Sequence, residues 1–243
     1  MTEAVTKTPR GAIVYDSDLF SSVSDELFRV SHWQTATPVR GTLRAAGRGN
    51  TLIVSDGERD YVWRKYIRGG LIGKLIKDTY FWTGEDETRS FSEWRLLQKL
   101  VAKGLNVPAP AAARYRRMAT FYTADLLTVR VPGIRSLADR LVEGPADAAF
   151  WQALGGGICG MHDAGVYHAD MNAYNVQLDQ QDELWLLDFD RGKLSPEGTW
   201  KQETLGRLHR SLQKIRQLSA SVHYSDTDWE EFLAGYFEHS KAA

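Results

Sequence analysis

One stretch of the chain packs an imidazole, a carboxylate and an amide at close spacing: His168, Asp170 and Asn175 fall within GVYHADMNAYNV, and Asp188 and Asp190 follow after an apolar interval. Carboxylate and amide oxygens are hard ligands, suited to Mg²⁺ held jointly with substrate phosphates. Zinc does not fit, because no second His or Cys stands at ligand spacing from His168. That histidine reads instead as a brace for the loop backbone.

For these residues to act together, the chain must bring them to one place. Val176-Gln177-Leu178 and Leu184-Trp185-Leu186-Leu187 are strand-like runs joined by Asp179-Gln180-Gln181-Asp182, a turn-forming tetrapeptide, so they are expected to pair as an antiparallel hairpin. Asn175 precedes the first run and Asp188 follows the second, so both reach the open end of the hairpin. The intervening loop keeps Asp170 nearby. Upstream, Phe150, Trp151, Leu154, Ile158 and Met161 recur at helical spacing despite Gly155-Gly156-Gly157, each costing about 1 kcal/mol in a helix, and Gly165 is the expected stop. Downstream, Leu205, Leu208, Leu212 and Ile215 form one helical stripe, and Trp229, Phe232, Leu233 and Tyr236 another.

The N-terminal half has a different character. Thr51-Leu52-Ile53-Val54 and Tyr61-Val62-Trp63, split by Ser55-Asp56-Gly57, predict a β-hairpin. Phe91, Trp94, Leu97, Leu100 and Val101 predict a helix ending before Gly104. Pro108 and Pro110 open a stretch read as irregular up to Arg114-Tyr115, and Phe121–Thr123 and Leu126–Val129 read as two strands before Pro132-Gly133. The order is a β-rich half with one long helix, then a helical half, with a cleft between two lobes as the natural place for a ligand.

At this level the sequence resembles the protein-kinase-like superfamily: His168-Ala169-Asp170-Met171-Asn172-Ala173-Tyr174-Asn175 followed by Asp188-Phe189-Asp190 looks like its catalytic loop and metal-binding triplet. The resemblance implies a bilobal α+β fold, with an N-lobe over 1–127 (about 1–30 peripheral), a C-lobe over 128–243 and a hinge at about 128–133. It assigns Asp170 to orienting and deprotonating an acceptor hydroxyl, and Asn175 and Asp188 to Mg²⁺. In the strand Tyr61-Val62-Trp63-Arg64 it puts Arg64, with Lys65 beside it, where the phosphate-gripping lysine is expected. Glu93 would orient that cation, Gly47-Arg48-Gly49 would cover the phosphates of ATP, and the backbone around Val129 and Val131 would receive adenine. Arginine in place of lysine exchanges a point charge for a fixed fork.

The short span after Asp190 leaves no room for a peptide platform, and Asn172 replaces the loop lysine of protein kinases, so a small or glycan acceptor is favoured. The stretches RGGLIGKLIKDTYFWTGEDETRSFSEWRLLQKL, ADLLTVRVPGIRSLADRL, GVYHADMNAYNV and LWLLDFDRGKL resemble the bacterial 3-deoxy-D-manno-octulosonic acid (Kdo) kinases of the lipopolysaccharide core kinase family, over roughly residues 40 to 218. This resemblance implies ATP-dependent phosphorylation of the 4-hydroxyl of a Kdo residue on lipid A precursor at the cytoplasmic face of the inner membrane. No protein partner is implied. Asn172, Asp190 and Arg191 are candidates for substrate contact. Arg68, Lys74 and Lys77 among Leu71, Ile72, Leu75 and Ile76 could rest on an anionic lipid surface.

Composition narrows the alternatives. Thirty Lys and Arg against thirty-one Asp and Glu give a net charge of −1, so no overall basic field marks a nucleic-acid binder. The single cysteine excludes an intrachain disulfide. No apolar run is long enough for a membrane-spanning helix, so membrane contact is expected to be peripheral. Two other readings stay open: a kinase for another sugar, such as a heptose or an aminoglycoside, and a catalytically silent kinase-like domain.

Overall fold

Apolar and aromatic runs in the N-terminal half pair into one antiparallel sheet in the computed structural model, which describes residues 1–39, 51–66 and 79–242. Its strands are β1 (Glu3–Thr8), β2 (Gly11–Asp16), β3 (Thr35–Pro38), β4 (Thr51–Ser55), β5 (Asp60–Lys65), β6 (Tyr80–Phe81), β7 (Pro110–Met118) and β8 (Phe121–Val129). The spatial order is β1-β2-β7-β8-β5-β4-β3, with β6 paired to the start of β8. Helix α1 (Arg89–Ala102) buries Phe91, Trp94, Leu97 and Leu100 on one stripe. These elements make up a unit of Met1–Val101 and Pro108–Val131.

Three expectations fail here for physical reasons. The stretch from Pro110 is a strand, with a register shift between Pro110 and Ala112, because Ala111, Ala112 and Ala113 lie fully buried between β2 and β8, where packing overrides weak local propensity. The two strands expected at 121–123 and 126–129 are one, because Asp125 does not break it: Arg114 pairs with that carboxylate at 2.7 Å and Trp63 Nε1 donates to it at 3.0 Å. Residues 1–30, expected to be peripheral, supply β1 and β2 and the buried Leu27 and Phe28. The glycine stretch 47–49 and the basic stretch 68–77 lie outside the described residues.

The second unit, Ala102–Val107 with Pro132–Ala243, begins past Val131 rather than at residue 128. It contains β9 (Arg135–Ser136), α2 (Leu137–Glu143), α3 (Ala148–Asp163), β10 (Val166–Tyr167), β11 (Val176–Leu178), β12 (Leu184–Leu186), β13 (Lys193–Leu194), α4 (Trp200–Leu218) and α5 (Asp226–Ala242). The glycines of α3 have a packing role, since a Cβ on Gly155 would meet the Phe232 carbonyl at 2.0 Å and one on Gly235 the Gln152 carbonyl at 2.0 Å. Helices α3 and α5 therefore touch backbone to backbone, which offsets the propensity cost of the glycines. Among the described residues no helix is long and apolar enough to cross a membrane.

Candidate active site

The expected hairpin forms in the expected register. Val176 pairs with Leu186, Gln177 with Trp185 and Leu178 with Leu184. Leu187 lies just past β12, yet its N–H donates to the Asn175 carbonyl at 3.0 Å and carries the ladder one step further. Asn175 and Asp188 consequently stand at the same end of the hairpin. Asn175 is buried, whereas Asp170 and Asp188 are exposed to solvent, where a substrate can reach them.

The loop from Asp170 to Asn175 is shaped by its own side chains. Asn175 Nδ2 donates to the Asp170 carbonyl at 2.8 Å and lies 3.5 Å from Asp170 Oδ2. Asn172 Oδ1 accepts from the N–H groups of Tyr174 (2.9 Å) and Asn175 (3.1 Å), and its Nδ2 donates to the Asp170 carbonyl at 3.0 Å. Such Asx-type bonding turns the chain tightly. The sequence suggested a substrate contact for Asn172, and the structure gives its amide to the loop. Helix α4 braces the same loop: Ser211 Oγ accepts from the Ala173 N–H at 3.1 Å, and Arg207 donates to the Ala169 carbonyl at 3.2 Å. Neither residue stands out in the sequence, because each serves only through a fold contact 38 positions away.

His168, with no exposed surface, joins the two halves of this arrangement. The Asp170 N–H donates to Nδ1 at 3.2 Å, and Nε2 lies 2.9 Å from the Leu187 carbonyl. A backbone N–H can only donate and a carbonyl can only accept, so the proton resides on Nε2. The ring also meets Phe189 edge-on at 4.9 Å. One side chain thereby fixes the start of the Asp170 loop against the strand end that leads into Asp188.

Asp188 and Arg191 adopt left-handed backbone with φ of 63° and 61°, and the Gly192 N–H closes a turn onto the Phe189 carbonyl at 2.7 Å. Non-glycine residues in this region cost of order 1 kcal/mol or more and are held there by their surroundings. The holding element is β13, which returns at once to pair Lys193 with Tyr167 and Leu194 with Val166 of β10. The chain between Asp188 and α4 is thus short and tied down on both sides. Asp190 is half-buried and Arg191 exposed within this turn.

The donor set suits Mg²⁺. Asn175 commits its amide nitrogen to Asp170, so its oxygen is the atom left to face a cation, and Asp188 adds an exposed carboxylate. No group of three His, Cys, Asp or Glu side chains fit to hold a metal occurs among the described residues. Two oxygen ligands completed by substrate phosphates and water match the preference of Mg²⁺.

In the first unit, Arg64 of β5 meets Glu93 of α1. Its Nη2 lies 2.6 Å from both carboxylate oxygens, and Tyr66 Oη donates to the same carboxylate at 2.5 Å. Glu93 is buried, and the Arg64 side chain keeps 20% of its surface exposed. Lys65 points to the other face, its Nζ 5.2 Å from the Trp63 ring, as alternation along a strand requires. Arg64 is therefore the cation in register with Glu93. The Val129 N–H, expected at the adenine, already donates to the Ala109 carbonyl at 2.8 Å.

Comparison with known proteins gives a consistent result. The sequence model described as "Lipopolysaccharide kinase (Kdo/WaaP) family" matches residues 32–236. A Vibrio vulnificus 3-deoxy-D-manno-octulosonic acid kinase is 41% identical over 224 residues, covering 92% of this chain and 94% of the relative. A kinase of the same name from Stenotrophomonas maltophilia is 43% identical over 209 residues, covering 85% and 82%. Among solved structures, WaaP in complex with acyl carrier protein superposes with a TM-score of 0.58 at 16% identity, over 93% of this chain and 88% of that one. The shared fold is the protein-kinase-like one.

Proposed function

This chain belongs to the lipopolysaccharide kinase (Kdo/WaaP) family, and from that premise we propose that it transfers the γ-phosphoryl group of ATP to the 4-hydroxyl of a Kdo residue on a lipid A precursor. The observation that carries the reading is the loop in which Asn175 is bonded to Asp170 while Asp188 leaves the paired strand at the same hairpin end. In this role Asp170 accepts the proton of the sugar hydroxyl and aims its oxygen at phosphorus. Asn175 and Asp188 hold Mg²⁺, which when bound neutralises charge on the phosphates. Arg64, fixed by Glu93, grips phosphate oxygens as a fork. Phosphoryl transfer needs chiefly positioning and charge neutralisation, so this small set is sufficient.

The bound return from Asp188 to β13 favours a compact or glycan acceptor, since it leaves no extended segment on which a peptide could lie. Asp190 and Arg191 would meet the acceptor from this turn. The site of action is the cytoplasmic face of the inner membrane, with the protein bound peripherally.

The test is incubation with labelled ATP, Mg²⁺ and a Kdo-bearing lipid A precursor. Label on Kdo is the expected result; label only on a heptose or an aminoglycoside would transfer the reading to another acceptor, and nucleotide binding without transfer would mean a silent domain. Asp170→Ala should leave ATP binding unchanged and lower turnover at least 10²-fold, the scale for losing an acid–base group. Near-normal turnover in that variant would refute the role.

A further inference from the structure

Three separate stretches of chain come to one end of the large sheet. The β1–β2 turn brings Pro9 and Arg10; the β7–β8 turn brings Arg117, Met118, Ala119 and Thr120; β6 brings Phe81 and runs on to Trp82. Backbone bonds lock them together: the Arg117 N–H donates to the Arg10 carbonyl at 2.6 Å, and the Trp82 N–H to the Thr120 carbonyl at 2.9 Å. Between them lies an open depression of about 510 Å³, lined by Arg10, Gly11, Trp82, Tyr115, Arg117 and Ala119.

The chemistry of this end is unusual for a solvated sheet edge. Phe81 is 61% exposed and Met118 47%, and the Phe81 ring packs at a tilt against Phe121 at 4.9 Å, making a protruding apolar ridge. Trp82 stands behind it, with Tyr115 at 4.9 Å and the Arg117 guanidinium 4.9 Å over its ring. Arg117 is held by that ring and by the Ala119 carbonyl at 2.9 Å, with no ion pair to a carboxylate among the described residues, and Arg10 is exposed. Glu85, which accepts from the Tyr115 hydroxyl at the depression, also accepts from Lys7. An exposed apolar ridge on one face of the sheet end, with a tryptophan and the arginine over it on the other face and a second arginine at the adjoining turn, is the pattern of a surface that sits at the boundary of headgroups and acyl chains.

We propose that this end of the sheet, Phe81 and Met118 flanked by Arg10 and Arg117, docks on an anionic phospholipid bilayer. Phe81 and Met118 enter the interface and the two arginines meet lipid phosphates, with the depression beside Trp82 as the seat for a headgroup. Charge complementarity selects a lipid surface over a neutral partner, and the exposed apolar ridge selects it over a purely polar anion. The proposal deepens the membrane reading given above and rests on it.

The test uses the full chain and vesicles of phosphatidylethanolamine with phosphatidylglycerol, against vesicles of phosphatidylcholine alone. Cys159 is buried, so Met118→Cys gives one accessible thiol for an environment-sensitive dye. A blue shift on the anionic vesicles only is expected, and no shift would overturn the proposal. Arg10→Glu with Arg117→Glu should weaken vesicle partition by at least about thirtyfold, from about fivefold per basic residue lost at an anionic surface, with more from the reversed charge. Phe81→Ser with Met118→Ser should weaken it even where salt has already removed the electrostatic part. Parental partition in both double variants would overturn the assignment, as would equal binding to soluble polyglutamate, which presents charge without an interface.

Activity separates this idea from the kinase reading. Both double variants should keep parental rates on a water-soluble, deacylated Kdo acceptor and lose rate on the acceptor embedded in vesicles. If the parent chain binds vesicles yet phosphorylates neither acceptor, the kinase reading fails and the docking surface stands. If the parent phosphorylates both without binding vesicles, the docking surface fails alone.

Discussion

His168 allows a sharp test, because it does its work without touching a substrate. In His168→Ala two backbone groups lose their partner, the Asp170 N–H bonded at 3.2 Å and the Leu187 carbonyl at 2.9 Å. Both bonds are partly buried, so each orphaned group costs about 1 kcal/mol, at the lower end for such losses. Deleting a ring with no exposed surface, packed edge-on against Phe189, adds about 2 to 3 kcal/mol. The sum is about 4 kcal/mol, a large part of the 5–15 kcal/mol of an ordinary protein. With a urea m-value of about 3 kcal/mol/M, the unfolding midpoint should fall by roughly 1.3 M, read by circular dichroism. In protein that stays folded, turnover should drop about 10²-fold, the scale of a misplacement of 1 Å at a reacting group. Asp170→Ala is the counterpart: an exposed residue whose loss should move stability by less than about 0.5 kcal/mol. A stability loss below about 1 kcal/mol in His168→Ala, a midpoint shift under about 0.3 M, or parental turnover in its folded fraction, would refute the bracing argument.

Three further expectations follow from the same geometry. Asp188→Asn should weaken Mg²⁺-dependent nucleotide binding in a titration while Mg²⁺-free binding stays the same; superimposable curves would remove Asp188 from the metal site. Glu93→Ala should lower kcat/KM for ATP and cost about 3 kcal/mol or more of stability, because it leaves Arg64 without its buried partner; Arg64→Ala should share the kinetic loss. Acid should destabilise the second unit through His162, whose pKa burial pushes down to about 4. Tyr236 and Thr204 hold this ring in its neutral form. The unfolded chain takes up a proton near pH 6.5 and the folded one only near pH 4, so stability declines as pH falls through that window. The difference of about 2.5 units corresponds to about 3 kcal/mol, and His162→Gln should flatten the pH dependence of thermal unfolding between pH 6.5 and 4.

The placement of the loop from His168 to Asn175 at the hairpin's open end could be read from the sequence because its information is local. The register of β11 and β12 follows from apolar alternation and a four-residue turn, and that register alone brings Asn175 and Asp188 to one end. Helices α1, α3, α4 and α5 were legible for the same reason, as period-3.6 stripes, whereas the seven-residue α2 is too short to show one. What escaped is decided by distant contacts. The alanines of β7 have no strand preference of their own, and Asp125 reads as a strand breaker until Arg114 and Trp63 surround it. Arg64 and Lys65 could not be told apart because alternate residues face opposite ways and the starting phase is set by pairing with β8. Ser211 and Arg207 carry no motif, and their role exists only once α4 lies along the loop.

The glycine contacts between α3 and α5 reach further than helix packing. Because the two backbones touch at Gly155 and Gly235, α5 cannot loosen without letting α3 move, and the imidazole near the end of α3, His162, is itself bonded to Tyr236. Helix α3 leads through Gly165 and β10 straight to His168. Helix α5 is therefore the far anchor of the Asp170 loop, and removing it would unseat side chains seventy residues earlier, roughly the separation of Tyr236 from His168.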